Sequence, residues 1–305
     1  DSKEYLGIFK MLKEEHILFD VVQQKKLVDN IELLKRYKTI IIPDILAFTV
    51  EELEVLDAYS QQGGCLLSTG RSFTQGEENQ LFMQRSFDAK LEEIKEYSRE
   101  SSYLKTEDKQ VFKSFMERDW ILLDGSFCRV KFGSNAIKHL PLVNPSLFGP
   151  PERASGHSIS QEYFGLGIVT TEQRKSIYLP WQPGRLYYKY GYDDNKRMIL
   201  DLLDMFADSR SPICTNAPQS VEVFFDKVDE ETYILHLLNL SGFNGLTYYE
   251  PIPIHNIQLN LLNLKNCKQL INLVDDEKIS YTNDDDGVKL ELPVLSDFAA
   301  IVLKV

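Results

Sequence analysis

The stretch TIIIPDILAFTVEELEVLDAYSQQGGCLLSTGRS, residues 39–72, decides the fold of this chain. Its pattern predicts an apolar strand that stops at a proline, an amphipathic helix, and a second apolar strand, CLLST. Thr49 is the predicted N-cap of the helix, Glu52 completes a capping box three residues later, and Gly63 and Gly64 end the helix. Two buried strands joined by a helix are typical of a βαβ unit with parallel strands and a right-handed crossover.

Further elements flank this unit. Apolar residues on a helical period predict helices in SKEYLGIFKMLKEEH and LVDNIELLKRY, and ILFDVV between them predicts a short strand at residues 17–22. Between residues 77 and 160 the pattern is mixed, since AKLEEIKEYSRE is charged and helical whereas DWILLDG is apolar. EYFGLGIVTTEQRKSIYLPW predicts two adjacent strands with a turn at residues 171–175. DDNKRMILDLLDMFAD predicts a helix whose acidic start, Asp193 and Asp194, suits the helix dipole.

The pattern changes after residue 212. Six strand-like segments follow at intervals of roughly ten residues, separated by turn residues, which is typical of an antiparallel β-sandwich. The sequence therefore predicts an α/β domain with a parallel sheet at residues 1–212, then a β-sandwich domain at 213–305. The boundary falls within residues 212–217.

Composition excludes several classes of function. The formal net charge is −12, which argues against a nucleic-acid binder and against attraction to anionic membranes. No apolar run reaches the ~18 residues of a membrane span, and no signal peptide follows Asp1, so a processed or truncated product is expected. The four cysteines are scattered without a CxxC pair, which predicts free thiols and a reducing, cytoplasmic location.

The stretch GGCLLSTGRSF has the outline of a catalytic turn. A nucleophile elbow places Ser or Cys directly after a strand, in the pattern G-x-S-x-G. Here Gly70 holds that place, Cys65 lies at the wrong end of the strand, and Ser72 lacks the pattern. We expect a structural turn whose Arg71 makes a surface or inter-domain ion pair.

Other common sites have no signature in the chain. There is no phosphate-binding or dinucleotide-binding glycine motif, and the five histidines are far apart in the sequence. The acidic segments DDEK and NDDDG lack the ligand pattern of a calcium loop and are expected to be solvated turns. Nothing singles out a catalytic carboxylate pair. We therefore predict no catalytic residue, no metal and no cofactor.

The stretch YLPWQPGRLYYKYG is unusually rich in aromatic residues. Rings beside a polar head group are what a sugar-binding platform needs. The alternative is a packed aromatic cluster at a domain or subunit interface, where Tyr, Trp and Arg are enriched. Under either interpretation the candidate residues are Trp181, Arg185, Tyr187, Tyr188 and Tyr190.

Taken in order, these segments resemble a known family. HILFDVV followed by YKTIIIPDILAFTVEELEVLDAYSQQGGCLLSTGRS resembles the middle domain of family-42 β-galactosidases. That domain is called the trimerisation domain and has a flavodoxin-like, class I glutamine-amidotransferase-like fold. The later segments look like the C-terminal half of related bacterial glycoside-hydrolase-like proteins with an N-terminal TIM barrel. These segments are FGPPERA, YLPWQPGRLYYKYG, VEVFFDKVDEETYILHLLNLSGF and PIPIHNIQLNL. The resemblance covers most of the chain except roughly residues 77–140.

The resemblance implies a non-catalytic C-terminal region of a glycoside hydrolase. The amidotransferase nucleophile would fall on Gly70, and the glycosidase carboxylates of the family lie in the barrel. The expected partners are the chain's own N-terminal barrel and further copies in a homo-oligomer. The family's domain begins with a strand before the first helix; that strand is expected either to be cut off or to be absent from the sheet. The alternatives are an accessory module that binds an oligosaccharide through the aromatic stretch, and an intact hydrolase site in the α/β domain.

Overall fold

The computed structural model describes residues 2–115, 118–172, 174–206 and 211–305. They form a mixed α/β fold with one seven-stranded sheet and two smaller sheets of five and four strands. The chain divides into two compact units. The first unit is Asp1–Ile8 with Val21–Asp208, and the second is Phe9–Asp20 with Ser209–Val305. Within the described ranges, no helix is long and apolar enough to cross a membrane.

The described residues include six α-helices: α1 (Lys3–Glu14), α2 (Ile31–Leu34), α3 (Val50–Gln61), α4 (Glu77–Phe87), α5 (Pro183–Tyr190) and α6 (Asp193–Phe206). The predictions of α1, α3 and α6 are confirmed, although residues 207 and 208 of the predicted last helix lie outside the described residues. Of the predicted helix at 27–37, residues 28–30 form a 3₁₀ turn and α2 is α-helical, so the prediction is confirmed only for its middle.

Helix α3 shows why the prediction in this region succeeds. The Thr49 hydroxyl accepts a hydrogen bond from the Glu52 backbone at 3.3 Å, and the Glu52 carboxylate accepts one from the Thr49 backbone at 2.9 Å. Both halves of the capping box are therefore present, and they satisfy two donors that a helix start leaves unpaired. All the groups involved lie within four residues of sequence.

Seven strands form the sheet of the first unit: β1 (Thr39–Pro43), β2 (Cys65–Thr69), β3 (Ala89–Lys105), β4 (Trp120–Phe132), β5 (Ala136–Asn144), β6 (Ser158–Thr170) and β7 (Lys175–Leu179). Their order is β1-β2-β7-β6-β5-β3-β4. β2 pairs in parallel with β1 and with β7, and the other pairs of described strands in this sheet are antiparallel. The prediction of a parallel sheet is correct for that edge and wrong beyond it.

The change of direction begins at the predicted hairpin. β6 and β7 are antiparallel neighbours, with Thr170 opposite Lys175, as the sequence predicts. Residue 173 of its turn lies outside the described residues. Beyond β6, the pairs of β6 with β5, β5 with β3, and β3 with β4 are antiparallel as well.

Two predictions of local structure in the first 105 residues are wrong. Residues 17–22, predicted as a strand, have no regular structure. Residues 89–100, predicted as helical, belong to β3. There the helix propensity of Glu and Lys is overridden by pairing with β4, where Glu93 lies opposite Arg129 and their side chains form an ion pair at 2.5 Å.

Aromatic side chains fill the core around the turn after β2. Phe73 is fully buried, and its ring centroid lies 5.1 Å from that of Phe48 and 5.0 Å from that of Phe82. Phe73 has a left-handed backbone conformation with φ of 61°, which is unfavourable for a bulky residue. The packing of its ring holds the turn in this conformation.

Nine strands form the second unit: β8 (Ile213–Thr215), β9 (Val221–Lys227), β10 (Thr232–Asn239), β11 (Ile254–Leu262), β12 (Gln269–Asn272), β13 (Glu277–Lys278), β14 (Tyr281–Asn283), β15 (Gly287–Leu295) and β16 (Phe298–Lys304). They form an antiparallel sheet in the order β13-β12-β16-β10-β9 and another in the order β14-β15-β11-β8. Both sheets contribute to one core, for example through Val223 and Leu237 of the first and Leu259 and Leu290 of the second. The prediction of antiparallel strands after residue 212 is confirmed.

Candidate functional site

The three parallel strands end side by side. Pro43 of β1 pairs with Thr69 of β2, and Thr69 pairs with Leu179 of β7. In open α/β sheets, ligands bind in the crevice at the carboxyl ends of the strands. The loops that directly follow β1, β2 and β7 are here called the carboxyl edge. This edge is therefore the candidate position for a catalytic or ligand-binding site.

Gly70 occupies the nucleophile's place at the carboxyl edge. Its φ is +63°, and a Cβ built on it would lie 2.3 Å from the Asp44 Oδ1 atom. Its N–H donates to the carbonyl oxygens of Leu179 at 2.9 Å and Trp181 at 2.8 Å. Position 70 therefore excludes any side chain, both by backbone conformation and by space.

Arg71 pairs with Asp44. The guanidinium Nη2 lies 2.7 Å from Asp44 Oδ2 and Nε lies 3.2 Å from Oδ1, while the Arg71 backbone N–H donates to Oδ1 at 2.7 Å. The Asp44 side chain is 1% exposed and that of Arg71 is 28% exposed. The hydrogen bonds that the Arg71 guanidinium donates to Asp44 raise the pKa of Arg71 above its usual value. The guanidinium thus neutralises a buried carboxylate.

The Ser72 hydroxyl and the Cys128 thiol both form hydrogen bonds with the backbone of this turn. The buried Ser72 hydroxyl oxygen lies 2.8 Å from the carbonyl oxygen of Thr69 and accepts from the N–H of Ile45 at 3.0 Å. The Cys128 Sγ lies 3.5 Å from the Gly70 carbonyl oxygen, and burial raises the pKa of this thiol to about 12. A thiol with that pKa stays protonated at neutral pH and is a poor nucleophile.

A buried carboxyl group completes the carboxyl edge. Glu4 of α1 is 0% exposed; its Oε1 accepts from the Thr69 hydroxyl at 2.7 Å and its Oε2 from the Arg185 N–H at 2.7 Å. Gln182, the N-cap of α5, makes no side-chain cap, so Glu4 satisfies that helix start from another element. Burial raises the pKa of Glu4 from its usual 4.5 to about 7, against the lowering effect of these hydrogen bonds.

Two glycines bring Glu4 to this place. A Cβ on Gly7 of α1 would lie 1.8 Å from the carbonyl oxygen of Gly184, and a Cβ on Gly184 would lie 2.3 Å from the carbonyl oxygen of Glu4. Helices α1 and α5 thus meet at backbone contact distance. Larger residues at either position would push the Glu4 carboxylate away from the first turn of α5.

The structure divides the predicted aromatic set. Trp181 is 0% exposed and its indole N–H donates to the Gly165 carbonyl oxygen at 2.9 Å, while Tyr187 is 6% exposed. A sugar cannot stack on a ring with no exposed face, so Trp181 is corrected from a platform residue to a core residue. Tyr188 and Tyr190 are 48% and 39% exposed.

Asp124 accepts hydrogen bonds from three residues of α5. Its carboxylate accepts hydrogen bonds from the Tyr190 hydroxyl and, at 2.9 Å, from Lys189 Nζ, and its carbonyl accepts from Arg185 at 3.2 Å. Burial opposes ionisation of Asp124, but the bonds from Tyr190 and Lys189 outweigh it and hold its pKa below the usual range. The Tyr190 ring stacks on Tyr192 at 5.2 Å between centroids.

Sequence reasoning found Arg71 but missed its partner and Glu4. Asp44 directly follows the predicted strand TIIIP, and the rule that ligands meet the carboxyl ends of strands would have singled it out. Glu4 had no such signal, because its burial depends on the packing of α1 against α5. Among the described residues that form hydrogen bonds at the carboxyl edge, none is a histidine that could activate a nucleophile.

Comparison with known proteins adds a likeness of fold. No protein-family profile matches the sequence, and no curated protein matches it. Solved structures do match. The α-L-fucosidase isoenzyme 2 from Paenibacillus thiaminolyticus superposes with a TM-score of 0.75 at 20% identity, over 99% of this chain and 45% of its own. A β-galactosidase from Bacillus circulans sp. alkalophilus gives 0.65 at 14% identity, over 99% and 37%. A catalytic mutant of a GH42 β-galactosidase from G. stearothermophilus gives 0.64 at 13% identity, over 99% and 36%.

These likenesses concern the fold alone. This chain spans less than half the length of each of these glycoside hydrolases, yet nearly all of it superposes on them. The expected likeness to β-galactosidases is confirmed at the level of the fold, and an α-L-fucosidase shows the same likeness. The amidotransferase-like and trimerisation assignments of the α/β domain stay predictions.

Proposed function

We propose that this chain is a non-catalytic region of a glycoside hydrolase, with the catalytic barrel elsewhere in the protein. The α/β domain at 1–212 is amidotransferase-like and supplies subunit and inter-domain contacts, and the β-sandwich at 213–305 follows it. The four free cysteines support a reducing, cytoplasmic setting. The support for a hydrolase is the superposition of nearly the whole chain on parts of an α-L-fucosidase and two β-galactosidases.

The observation that carries the non-catalytic assignment is the geometry of position 70. A nucleophile there would need a side chain, and the space for its Cβ is taken by Asp44. The other candidate groups at the carboxyl edge are committed to structure: Arg71 to Asp44, Ser72 to the backbone, and Cys128 to a buried, protonated state. A hydrolase site needs a nucleophile or a carboxylate pair open to substrate, and the described part of this edge offers neither.

The contact role is supported by the tyrosines near the end of α5, here called the tyrosine patch (Tyr188, Tyr190 and Tyr192). They are 48%, 39% and 45% exposed. Tyrosine is enriched at protein interfaces because its ring buries a large area at low entropic cost while its hydroxyl stays satisfied. Asp124 and Lys189 already fix the Tyr190 side chain, so little ordering is left for association.

Two measurements test the proposal. The purified chain is assayed against aryl β-galactosides, aryl α-L-fucosides and glutamine, and we expect no hydrolysis above that of buffer. Its mass in solution is then measured by sedimentation, and we expect self-association that Tyr188→Ser weakens. Tyr249→Ser is the matched control, because Tyr249 is 64% exposed and belongs to the second unit.

Each part of the proposal can fail separately. Hydrolysis above buffer that disappears with Asp44→Asn would place an active site at the carboxyl edge and end the non-catalytic assignment. A chain that stays monomeric at every concentration, or one whose self-association ignores Tyr188→Ser, would remove the tyrosine patch as a contact between copies.

A further inference from the structure

The loop that joins β10 to β11, residues 240–253, contains the one asparagine of the sequence that a glycine follows. Asn244 and Gly245 are both exposed. An asparagine side chain loses ammonia when the backbone nitrogen of the next residue attacks its carbonyl carbon, and a side chain on that next residue hinders the attack. Because glycine has no side chain, this pair is the candidate position for such a reaction.

Two backbone donors hold the Asn244 side chain in a turn. Its Oδ1 accepts hydrogen bonds from the N–H groups of Leu246 at 3.0 Å and Thr247 at 2.8 Å. The Asn244 backbone N–H donates to the Thr247 carbonyl oxygen at 3.2 Å. Asparagine side chains commonly bond to the backbone two or three residues further on in this way. The side-chain carbonyl is therefore fixed within the same turn that contains Gly245.

The same two donors prepare the Asn244 carbonyl group for attack. When a nucleophile adds to the carbon Cγ, negative charge develops on Oδ1, and N–H groups already directed at that oxygen stabilise the charge. A pair of backbone N–H groups directed at one carbonyl oxygen is the arrangement of an oxyanion hole. The Asn244 carbonyl is thus polarised before any reaction begins.

The Gly245 nitrogen is available as the nucleophile. Among the hydrogen bonds of the described residues, none uses the Gly245 N–H. A Cβ on Gly245 would have no atom within 4 Å, and φ there is +97°. The open space leaves room for the backbone to rotate toward Cγ, and glycine makes that rotation without a steric penalty.

The rest of the loop keeps this turn closed. The Phe243 and Tyr248 rings stack with their centroids 4.5 Å apart, and the Tyr249 N–H donates to the Gly242 carbonyl oxygen at 2.9 Å. Both contacts join the two arms of the loop on either side of the Asn-Gly pair. The fold therefore holds the reacting groups in one turn, which lowers the entropic cost of bringing them together.

We propose that Asn244 is a site of spontaneous deamidation. The Gly245 N–H gives its proton to hydroxide, and its nitrogen forms a bond to Cγ. The bond from Cγ to Nδ2 then breaks, the leaving nitrogen takes a proton from water and departs as ammonia, and a succinimide ring remains. Water opens the ring at either carbonyl. The product is aspartate when the new bond to Cγ breaks, and isoaspartate when the original peptide bond breaks.

The product changes the character of the loop. Glu250 is the one charged residue of the sequence 240–253, and Leu246 and Tyr248 are 89% and 71% exposed. Deamidation adds a second carboxylate to this apolar loop, and isoaspartate also lengthens the backbone of the turn. The inference does not rest on the proposed function, because the reaction needs only water and residues of the loop itself.

The test follows Asn244 in the whole chain, in mildly alkaline buffer made with water enriched in heavy oxygen. Peptide mapping by mass spectrometry measures the heavy oxygen that ring opening incorporates and separates aspartate from isoaspartate. We expect both products at Asn244, formed no more slowly than in a free peptide of residues 240–250. Gly245→Ala should slow the reaction by about tenfold, because its methyl group hinders the attack. Gly63→Ala is the matched control, since Gly63 has a φ of +92° and open space around its Cβ position but follows a glutamine.

Each outcome decides the proposal. Both products at Asn244, formed more slowly in Gly245→Ala and at an unchanged rate in Gly63→Ala, with every chain folded by circular dichroism, support it. An Asn244 that stays unmodified, or reacts more slowly than in the free peptide, overturns it, because the fold would then protect the side chain. A rate that Gly245→Ala leaves unchanged overturns it too, because the attack would then not involve the nitrogen of residue 245. Aspartate without isoaspartate would indicate direct hydrolysis by water and would overturn it as well.

Discussion

Replacing Glu4 by glutamine should make the stability of the first unit less dependent on pH. Burial raises the pKa of Glu4 from 4.5 to about 7. The unfolded chain therefore releases this proton near pH 4.5, whereas the folded chain holds it until about pH 7. The favourable contribution of the protonated group is fully present below pH 4.5 and is lost as the pH rises through 7.

The magnitude follows from the two pKa values. At about 1.4 kcal/mol for each pH unit between 4.5 and 7, ionised Glu4 costs the folded state about 3 kcal/mol. Gln cannot ionise, and its amide oxygen still accepts the Arg185 N–H while its NH₂ donates to the Thr69 hydroxyl. Relative to the wild type, Glu4→Gln should therefore gain about 3 kcal/mol between pH 4.5 and pH 8.

The assay is urea unfolding followed by tryptophan fluorescence across this pH range. Both tryptophans, Trp120 and Trp181, belong to the first unit, so the signal reports the unit that contains Glu4. Glu54→Gln on the exposed face of α3 is the matched control and should leave the pH profile unchanged. A constant difference between wild type and Glu4→Gln at all pH values would refute the reasoning. Greater loss in the variant at pH 8 would show that Glu4 is ionised and caps α5 as a carboxylate.

Further predictions concern the turn after β2. Gly70→Ala should lower the free energy of unfolding by about 3 kcal/mol in urea melts, because of the left-handed φ and the contact of the new Cβ with Asp44. Gly63→Ala should lower it by about 1 kcal/mol, because φ is +92° there but no atom lies within 4 Å of the Cβ. Equal losses would contradict the steric argument. Arg71→Ala should lower the free energy of unfolding by about 2 kcal/mol, because it leaves the Asp44 carboxylate buried without its charged partner. Adding Asp44→Asn to Arg71→Ala should recover part of that loss, whereas losses that simply add would show that the two side chains are not coupled. Cys128 should resist iodoacetamide at pH 8 in the folded chain and react after unfolding, as judged by mass spectrometry, since its pKa is about 12; rapid labelling of the folded chain would contradict its burial.

The elements that could be predicted are those fixed by neighbours in sequence. The capping box of Thr49 and Glu52, the glycine pair and two apolar strands define β1–α3–β2 without reference to the rest of the chain. Strand β3 could not be found this way, because its Lys- and Glu-rich sequence favours a helix until β4 pairs with it. The antiparallel part of the large sheet follows from the same long-range pairing.

The site shows the same division. That Gly70 cannot be a nucleophile is visible in the sequence, because it is a statement about one residue type. That Trp181 is buried is not visible, because the spacing of aromatic residues is the same in a core and on a platform.

The carboxyl edge keeps the geometry of a ligand site while its polar groups face one another. The Asp44 carboxylate accepts two hydrogen bonds from the Arg71 guanidinium, and Glu4 caps α5. The Gly70 carbonyl oxygen accepts a hydrogen bond from the Tyr178 hydroxyl at 2.8 Å. Each of these bonds satisfies a group that would otherwise be buried and unpaired, so none can turn to a substrate without a cost of about 1–3 kcal/mol.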